Sequence, residues 1–178
     1  MKTSLMLVTV ACGLAIIGAA PHAPTPVSDA LRSTAERSGK NLVAAAEEMP
    51  ADKYGFKPTP AQLTFGEVIA HLSGGNDYLC SKVGGVSAPK RAEISKTAPK
   101  EQLVARLRET FKFCETALAK VDDSALDAKL PFFGEREVSR AEMMFATAED
   151  WADHYSQLAI YLRLNGHLPP TAKPKPQS

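Results

Sequence analysis

Apolar residues recur at intervals of three and four along four long segments of the chain. This spacing places them on one face of an α-helix and the charged residues on the opposite face, so each segment predicts an amphipathic helix. The four predicted helices cover about residues 29–48, 65–83, 99–121 and 138–164.

The ends of these helices carry local signals. Ser28 is placed to cap the first helix, and Thr64–Glu67 has the pattern of a capping box, in which a hydroxyl and an acid three residues later satisfy each other's backbone donors. Pro99 suits the first turn of the third helix. The fourth helix is expected to end at Asn165–Gly166, before Pro169–Pro170.

The fourth helix has the longest predicted apolar stripe, and it contains the one Trp of the chain. This stripe is expected to face the core of the protein. Its members are Ala141, Met144, Phe145, Ala148, Trp151, Ala152, Tyr155, Ala159 and Leu162.

The connections between the helices are long and irregular. Pro and Gly interrupt residues 50–63, 84–98 and 122–137, and no segment has a clear strand signal. The chain is therefore predicted to be all-α, a four-helix bundle with long crossover connections spanning residues 28–170. A Pro-rich spacer at 21–27 precedes it, and a polar tail at 171–178 is expected to be disordered.

Composition and charge fit one globular domain and argue against a nucleic-acid binder. The 178 residues are 44% hydrophobic and 23% charged, which is enough apolar material for an ordinary core. The formal net charge is +1. Nucleic-acid-binding domains have a basic patch that this balance does not provide, so no nucleic-acid partner is expected.

The first 20 residues have the pattern of a secretory signal peptide. Lys2 supplies a positive start, and the apolar run Leu5–Ala20 is too short to span a bilayer comfortably. The protein is therefore predicted to be exported, to the periplasm or outside the cell, with no membrane span left after residues 1–20 are removed. In an alternative interpretation Cys12 is acylated as a lipoprotein. The apolar run would then be very short before Cys12 and would continue after it.

Two cysteines remain once the leader is removed. Cys80 and Cys114 fall on or beside the apolar stripes of the second and third helices. In an oxidising compartment two facing cysteines join as a disulfide, which is the interpretation we favour. The alternative is a pair of buried thiols that pack as small apolar side chains.

The fourth helix also carries the candidate chemistry. Asp150 and His154 are four residues apart, so their side chains lie on one helical face and can converge on a single point. A metal ion held there needs a further ligand, and His71 on the second helix is the candidate. The alternative for His154 is a histidine at the edge of the core, hydrogen-bonded to a neighbour.

Two stretches of the sequence resemble the DinB/YfiT-like family. Tyr54–Pro60 followed by Phe65–Leu72 resembles the first half of these proteins, and His154–Leu158 with Tyr161–Arg163 and Gly166–Pro170 resembles their last helix and its exit. The resemblance extends from about Asp29 to Pro170. It implies a four-helix bundle that often holds a divalent metal at one end through three histidines.

The chain departs from that pattern at one position. His71 and His154 match two of the three family histidines, but Asp150 stands in the place of the third. Two histidines and a carboxylate form an open site that suits Zn, Ni, Mn or Fe. The other interpretation is that the metal has been lost.

These observations lead to two hypotheses about function. In the first, the protein is a metal-dependent member of the family that acts on a small-molecule substrate by hydrolysis or thiol transfer. In the second, it is a metal-free bundle that binds a ligand or a partner in the cell envelope. The resemblance is also compatible with a homodimer, because such bundles often pair through exposed helix faces.

Overall fold

The structure, a computed structural model, describes residues 25–174. The predicted signal peptide at 1–20, Cys12 and the spacer up to residue 24 lie outside the described residues. Residues 175–178, at the end of the predicted tail, lie outside them too.

Four long helices dominate the described chain, as the sequence predicts. Their connections contain short 3-10 turns at Ala51–Lys53 and Asp123–Ala125 and one small β-hairpin, and a third 3-10 turn, Pro170–Ala172, follows the last helix. The helices are α1 (Pro26–Glu48), α2 (Phe65–Gly84), α3 (Lys100–Leu118) and α4 (Arg140–Leu164), and the strands of the hairpin are β1 (Lys129–Pro131) and β2 (Glu137–Ser139). The predicted all-α class and the four-helix bundle are confirmed.

The order of the helices around the bundle explains its long connections. The extensive contacts among the described helices are those of α2 with α3 and α4, and of α1 with α3 and α4. Consecutive helices α1 and α2 therefore lie across a diagonal, as do α3 and α4. A connection that crosses the end of the bundle must be longer than a turn between neighbours, and residues 49–64 and 119–139 make these two crossings.

The core fills the space between all four helices. Trp151, Tyr161 and Phe65 are its largest fully buried side chains, and aliphatic residues from each helix surround them. Burying one such side chain contributes about 1.5–3 kcal/mol. Among the described helices, none is long and apolar enough to cross a bilayer.

The buried face of α4 differs from the predicted stripe. Phe145 is 66% exposed, whereas Met143, Thr147 and Leu158, which the prediction left out, are fully buried. The reason is that α4 packs against α1 and α2 together, so its buried face is broad and is chosen by its neighbours. Of the predicted stripe, the buried members are Met144, Trp151, Ala159 and Leu162.

The bundle also begins two residues earlier than predicted. Helix α1 starts at Pro26, and Ser28 lies inside it rather than at its cap. The carboxylate of Asp123 accepts the backbone N–H of Val27 and of Ser28, each at 2.9 Å, and the Ser28 hydroxyl at 2.6 Å. A side chain that is distant in sequence thus satisfies the free amides of the first turn, which adjacent residues usually do.

The start of the predicted tail makes specific contacts with the bundle. Pro170–Ala172 forms a 3-10 turn. The Tyr155 hydroxyl donates to the Thr171 hydroxyl at 2.9 Å and accepts the Thr171 backbone N–H at 3.0 Å. Lys173 pairs with Glu48 at the end of α1. These contacts with α1 and α4 hold a segment whose composition alone predicts disorder.

The hairpin between α3 and α4 is a further departure from the prediction of an irregular connection. Strands β1 and β2 are antiparallel, with Leu130 opposite Val138. Each strand has three residues, which is too short for an alternating pattern to be recognised in the sequence. The hairpin leads directly into α4, where Ser139 and Glu142 form a capping box.

Candidate metal centre

The candidate centre lies between α2 and α4, and local capping signals define the start of both helices. Thr64 and Glu67 form the predicted capping box: the Thr64 N–H donates to the Glu67 carboxylate at 2.8 Å, and the Glu67 N–H donates to the Thr64 hydroxyl at 3.2 Å. Because α2 starts here, His71 lies in its second turn. Asp150 and His154 lie one turn apart in the middle of α4. The site is therefore built on regular helices rather than on loops.

The structure brings the three predicted ligands together. One potential ligand atom from each of His71, Asp150 and His154 lies within 4.8 Å of the other two. The imidazole rings of His71 and His154 stack with their centroids 5.0 Å apart and their planes 22° from parallel. Nδ1 of His154 is 3.6 Å from Oδ1 of Asp150. The three side chains thus face one small volume, while metal binding itself stays a prediction.

The orientation of His154 is held by its own helix. Its Nδ1 lies 2.8 Å from the backbone carbonyl oxygen of Asp150, which can only accept a hydrogen bond. Nδ1 is therefore the donor, and the neutral ring keeps its lone pair on Nε2. Metal-bound histidines commonly have this arrangement, in which one ring nitrogen bonds a carbonyl and the other is free to coordinate. The hydrogen-bonded histidine that the sequence suggested as an alternative is thus compatible with a ligand.

The carboxylate of Asp150 has an unsatisfied atom. Its Oδ2 is buried and has no hydrogen-bond partner among the described residues. Burial raises the pKa of Asp150 above its ordinary value of 3.8, against the opposing effect of His154 and His71. An unpaired buried acceptor costs about 1–3 kcal/mol. A cation beside Oδ2 would remove that cost, so the donor set and its unsatisfied oxygen both fit a divalent metal.

The site is closed on one side and open on the other. His154 is mostly buried, with 12% of its side chain exposed, whereas His71 is exposed. A Cβ atom placed on Gly74 would meet no atom of another described segment within 4 Å, and one placed on Gly75 would lie 3.6 Å from Oδ2 of Asp150. Gly74 and Gly75 therefore add no side-chain atoms to the surface of α2 in the turn after His71.

Beside the centre, a buried polar network connects three helices. Oδ1 of Asn76 accepts the indole N–H of Trp151 at 2.7 Å, and its amide nitrogen donates to the Thr110 hydroxyl at 3.1 Å. Asn76 was not among the residues predicted from the sequence. The signal was its position four residues after Leu72, which puts an amide on the apolar stripe of α2.

The two core cysteines are joined. The disulfide between Cys80 and Cys114 links α2 to α3, with Cα atoms 5.1 Å apart and both residues fully buried. This is the pairing that the sequence favoured over two packed thiols. It lies in the same interface as the bond between Asn76 and Thr110.

A large groove lies elsewhere on the bundle, between α1 and α3. It has a volume of about 1060 Å³, and all of its lining residues belong to α1, α3 or the residue after α3, among them Gly39 and Phe111. The metal-ligand candidates lie on α2 and α4, so this groove and the candidate centre are separate features.

Comparison with known proteins gives a consistent family. The family model of the DinB superfamily matches residues 34–158, which is well over half of the chain. No curated protein matches the chain in sequence.

Solved structures share the fold. A DinB-like protein from Bacillus subtilis is similar with a TM-score of 0.64 and 18% identity, over 78% of this chain and 92% of that one. A DinB-like protein from Bacillus cereus is similar with a TM-score of 0.66 and 16% identity, over 80% and 95%.

An enzyme is also among the similar structures. A mycothiol-dependent maleylpyruvate isomerase has a TM-score of 0.59 and 12% identity, over 74% of this chain and 60% of that one. Its histidine-to-alanine mutant gives a TM-score of 0.60. At these identities the likeness shows a common fold.

Proposed function

The chain belongs to the DinB superfamily, and on that basis we propose that it is an exported metal-dependent protein. In this proposal His71, Asp150 and His154 hold one divalent cation between α2 and α4. The other coordination positions remain open to a small-molecule substrate from the exposed side of His71.

The observation that supports the proposal most strongly is the unsatisfied oxygen of Asp150. Oδ2 is buried without a partner among the described residues, and one oxygen of the same carboxylate lies within 4.8 Å of a ring nitrogen of each imidazole. Folding places a carboxylate there at a cost, and a bound cation is the group that offsets it. Two nitrogens and one carboxylate oxygen suit Zn, Ni, Mn or Fe, so the donor set defines a class of metals rather than one element.

The chemistry of such a centre follows from what each residue does. A divalent ion in an open site supplies Lewis acidity toward a water, a thiol or a carbonyl group. His154 is kept in one tautomer by the carbonyl of Asp150, and the Asp150 carboxylate supplies the negative charge. The small residues Gly74 and Gly75 leave room for a substrate beside these groups.

The reaction class that we propose is hydrolysis or thiol transfer. Thiol transfer is suggested by the mycothiol-dependent isomerase among the similar structures. Export argues for hydrolysis instead, because low-molecular-weight thiols are poorly supplied outside the cytoplasm. Export itself is supported by the signal-peptide pattern of residues 1–20 and by the disulfide, since disulfides persist in oxidising compartments.

The test of metal binding is elemental analysis of protein purified without chelator after growth with added Zn, Ni, Mn and Fe. We expect about one divalent ion per chain, and a loss of that ion in His71→Ala and His154→Ala, because a three-ligand site tolerates no missing ligand. The matched control is His167→Ala. His167 is a partly exposed histidine that lies 3.4 Å from Glu48 and away from the centre. A metal content well below one per chain in the wild type overturns the proposal.

The alternative function is a metal-free module that binds a ligand in the cell envelope, and the groove between α1 and α3 favours it. Its lining includes the apolar side chains of Val43 and Phe111 and the cationic side chains of Lys40 and Arg108. If this alternative holds, His71→Ala and His154→Ala leave ligand binding and thermal stability unchanged. Thermal stabilisation by Zn or Ni that vanishes in these two variants excludes it.

A further inference from the structure

Asn76 is a fully buried polar residue at the centre of the bundle. It follows His71 by five residues on α2. Both ends of its amide are used: the oxygen accepts from Trp151 on α4, and the nitrogen donates to Thr110 on α3. The Thr110 hydroxyl in turn donates to the carbonyl of Leu107 at 2.9 Å. The buried side chains of this network are all satisfied.

One of these bonds crosses the interface in which the metal centre lies. Helix α2 carries His71, and α4 carries Asp150 and His154. The indole of Trp151, the residue directly after Asp150, donates to Asn76 at 2.7 Å. The bond therefore joins the two ligand-bearing helices within one turn of Asp150.

Apolar packing alone positions two helices less precisely than a metal site requires. Along a helix each residue advances 1.5 Å and rotates by about 100°. The distance between a metal ion and a ligand atom can deviate from its ideal value by only about 0.2 Å. A buried hydrogen bond is directional and costly to break, so one relative position of the helices satisfies it. A buried Asn has the same effect on helix register in coiled coils.

We propose that Asn76 is a positioning residue for the metal centre, which sets the register of α2 against α4 through Trp151. This inference rests on the proposed function, since it concerns the affinity of the same centre. Asn76 does not itself coordinate the ion. It acts by holding the imidazole of His71 at the correct distance from the two ligands of α4.

The other half of the amide supplies a matched control. Thr110 binds the same Asn76 side chain, but α3 carries none of the three ligands. The disulfide between Cys80 and Cys114 also holds α2 on α3. Loss of the Thr110 bond should therefore lower stability without altering the register between α2 and α4.

The experiment compares Co²⁺ and Zn²⁺ binding by wild type, Asn76→Ala, Trp151→Phe and Thr110→Val. Co²⁺ is followed by its visible absorption and Zn²⁺ by calorimetric titration. We expect Asn76→Ala and Trp151→Phe to weaken binding by about 10–100-fold, as loss of an outer-shell partner does, and to change the Co²⁺ spectrum. Thr110→Val should bind as the wild type does while losing stability in urea. The Asn76→Ala/Trp151→Phe double variant should bind no more weakly than the weaker of the two single variants, because each single variant already removes the bond between Asn76 and Trp151.

The outcomes separate this inference from the proposed function. A wild type that binds neither ion overturns the function and this inference together. A wild type that binds, with unchanged affinity and spectrum in Trp151→Phe and Asn76→Ala, overturns the inference alone. So does a Thr110→Val protein that loses affinity as much as the other two. If Asn76→Ala does not fold, the metal affinity and Co²⁺ spectrum of Trp151→Phe test the inference, because this variant keeps an aromatic ring in the core.

Discussion

Asp150 is the residue whose chemistry is least explained by the protein alone. Its side chain is 24% exposed, yet Oδ2 has no partner in the described part of the chain. Burial raises the pKa of Asp150 although two histidines lie nearby. In the metal-free protein this carboxylate is a source of instability. The same features make it a good ligand, because a cation replaces both the missing hydrogen bond and the lost hydration.

Replacing Asp150 by Asn keeps the shape of the side chain and removes its charge. We expect metal-free D150N to be at least as stable as the wild type in urea, because the cost of burying a charge is gone. Loss of an outer-shell partner lowers metal affinity by about 10–100-fold, and loss of a ligand should lower the Zn²⁺ affinity further. Calorimetric titration checks the second expectation. Unchanged Zn²⁺ affinity in D150N would show that Asp150 is not a ligand.

Replacing Asp150 by His restores the three-histidine set that the family resemblance implies. Imidazole suits Zn and Ni, whereas carboxylate oxygen suits Mn. We therefore expect D150H to keep Zn²⁺ and Ni²⁺ and to lose affinity for Mn²⁺ relative to the wild type. Competition titrations with these ions measure the change. A D150H protein that binds Mn²⁺ in preference to Zn²⁺ contradicts the assignment of this position.

At the scale of elements, helix α1 depends on groups from the far end of α3. Asp123 caps its first turn, and Arg32 of α1 donates to the carbonyls of Leu118 and Val121 at 3.1 and 2.7 Å. Each helix end thus receives the charge that complements its dipole, a carboxylate at an N-terminus and a guanidinium at a C-terminus. The two interactions together hold the start of α1 against the end of α3.

The cap predicts an acid-dependent loss of stability. Burial opposes ionisation of Asp123, but the hydrogen bonds from Ser28 and from the Val27 and Ser28 amides outweigh it, and its pKa lies below the ordinary 3.8. A carboxyl with a lowered folded pKa stabilises the protein above its unfolded pKa, and this contribution disappears as the pH falls through the folded value.

Asp123→Asn should therefore be less stable than the wild type at neutral pH, with the difference shrinking as the pH falls below 3.8. The urea denaturation midpoints of both proteins, taken from neutral pH to below 3.8, measure this difference in stability. The control is Asp52→Asn, an acid of an exposed 3-10 turn beside Lys53, for which little change is expected. A constant difference between Asp123→Asn and wild type at all pH values would show that the cap does not act through its charge.

At the scale of the whole molecule, the bonds that stabilise α2 and the candidate metal ligands lie in two different helix interfaces. The disulfide and the Thr110 bond lie between α2 and α3, whereas the three ligands lie between α2 and α4. Helix α2 takes part in both interfaces. One interface can thus stabilise α2 while the other forms the centre.

Removing the disulfide tests this division. The bond closes a loop of 34 residues, for which loop-closure entropy gives a contribution of about 3–4 kcal/mol. We expect Cys80→Ala/Cys114→Ala to lose stability of that order in urea, while the folded protein keeps its Zn²⁺ affinity. Denaturation and titration of the same variant measure both. Loss of metal affinity without loss of stability would mean that the disulfide positions the centre directly.

The sequence alone determined those features that depend on residues within a few turns of one another. The start of α2 follows from the capping residues beside it, and the four helices follow from their apolar period. The meeting of Asp150 with His154 follows from a spacing of four. The family resemblance then predicted that His71 would lie beside these two residues.

Only the tertiary structure decided the features that depend on what a segment packs against. Asp123 caps α1 from about 95 positions away, the exposure of Phe145 depends on where α1 and α2 lie, and Thr171 is ordered by Tyr155. The partners of Asn76 come from two other helices. Helical period and capping act over one or two turns, whereas burial and long-range hydrogen bonds arise only when all four helices are in place.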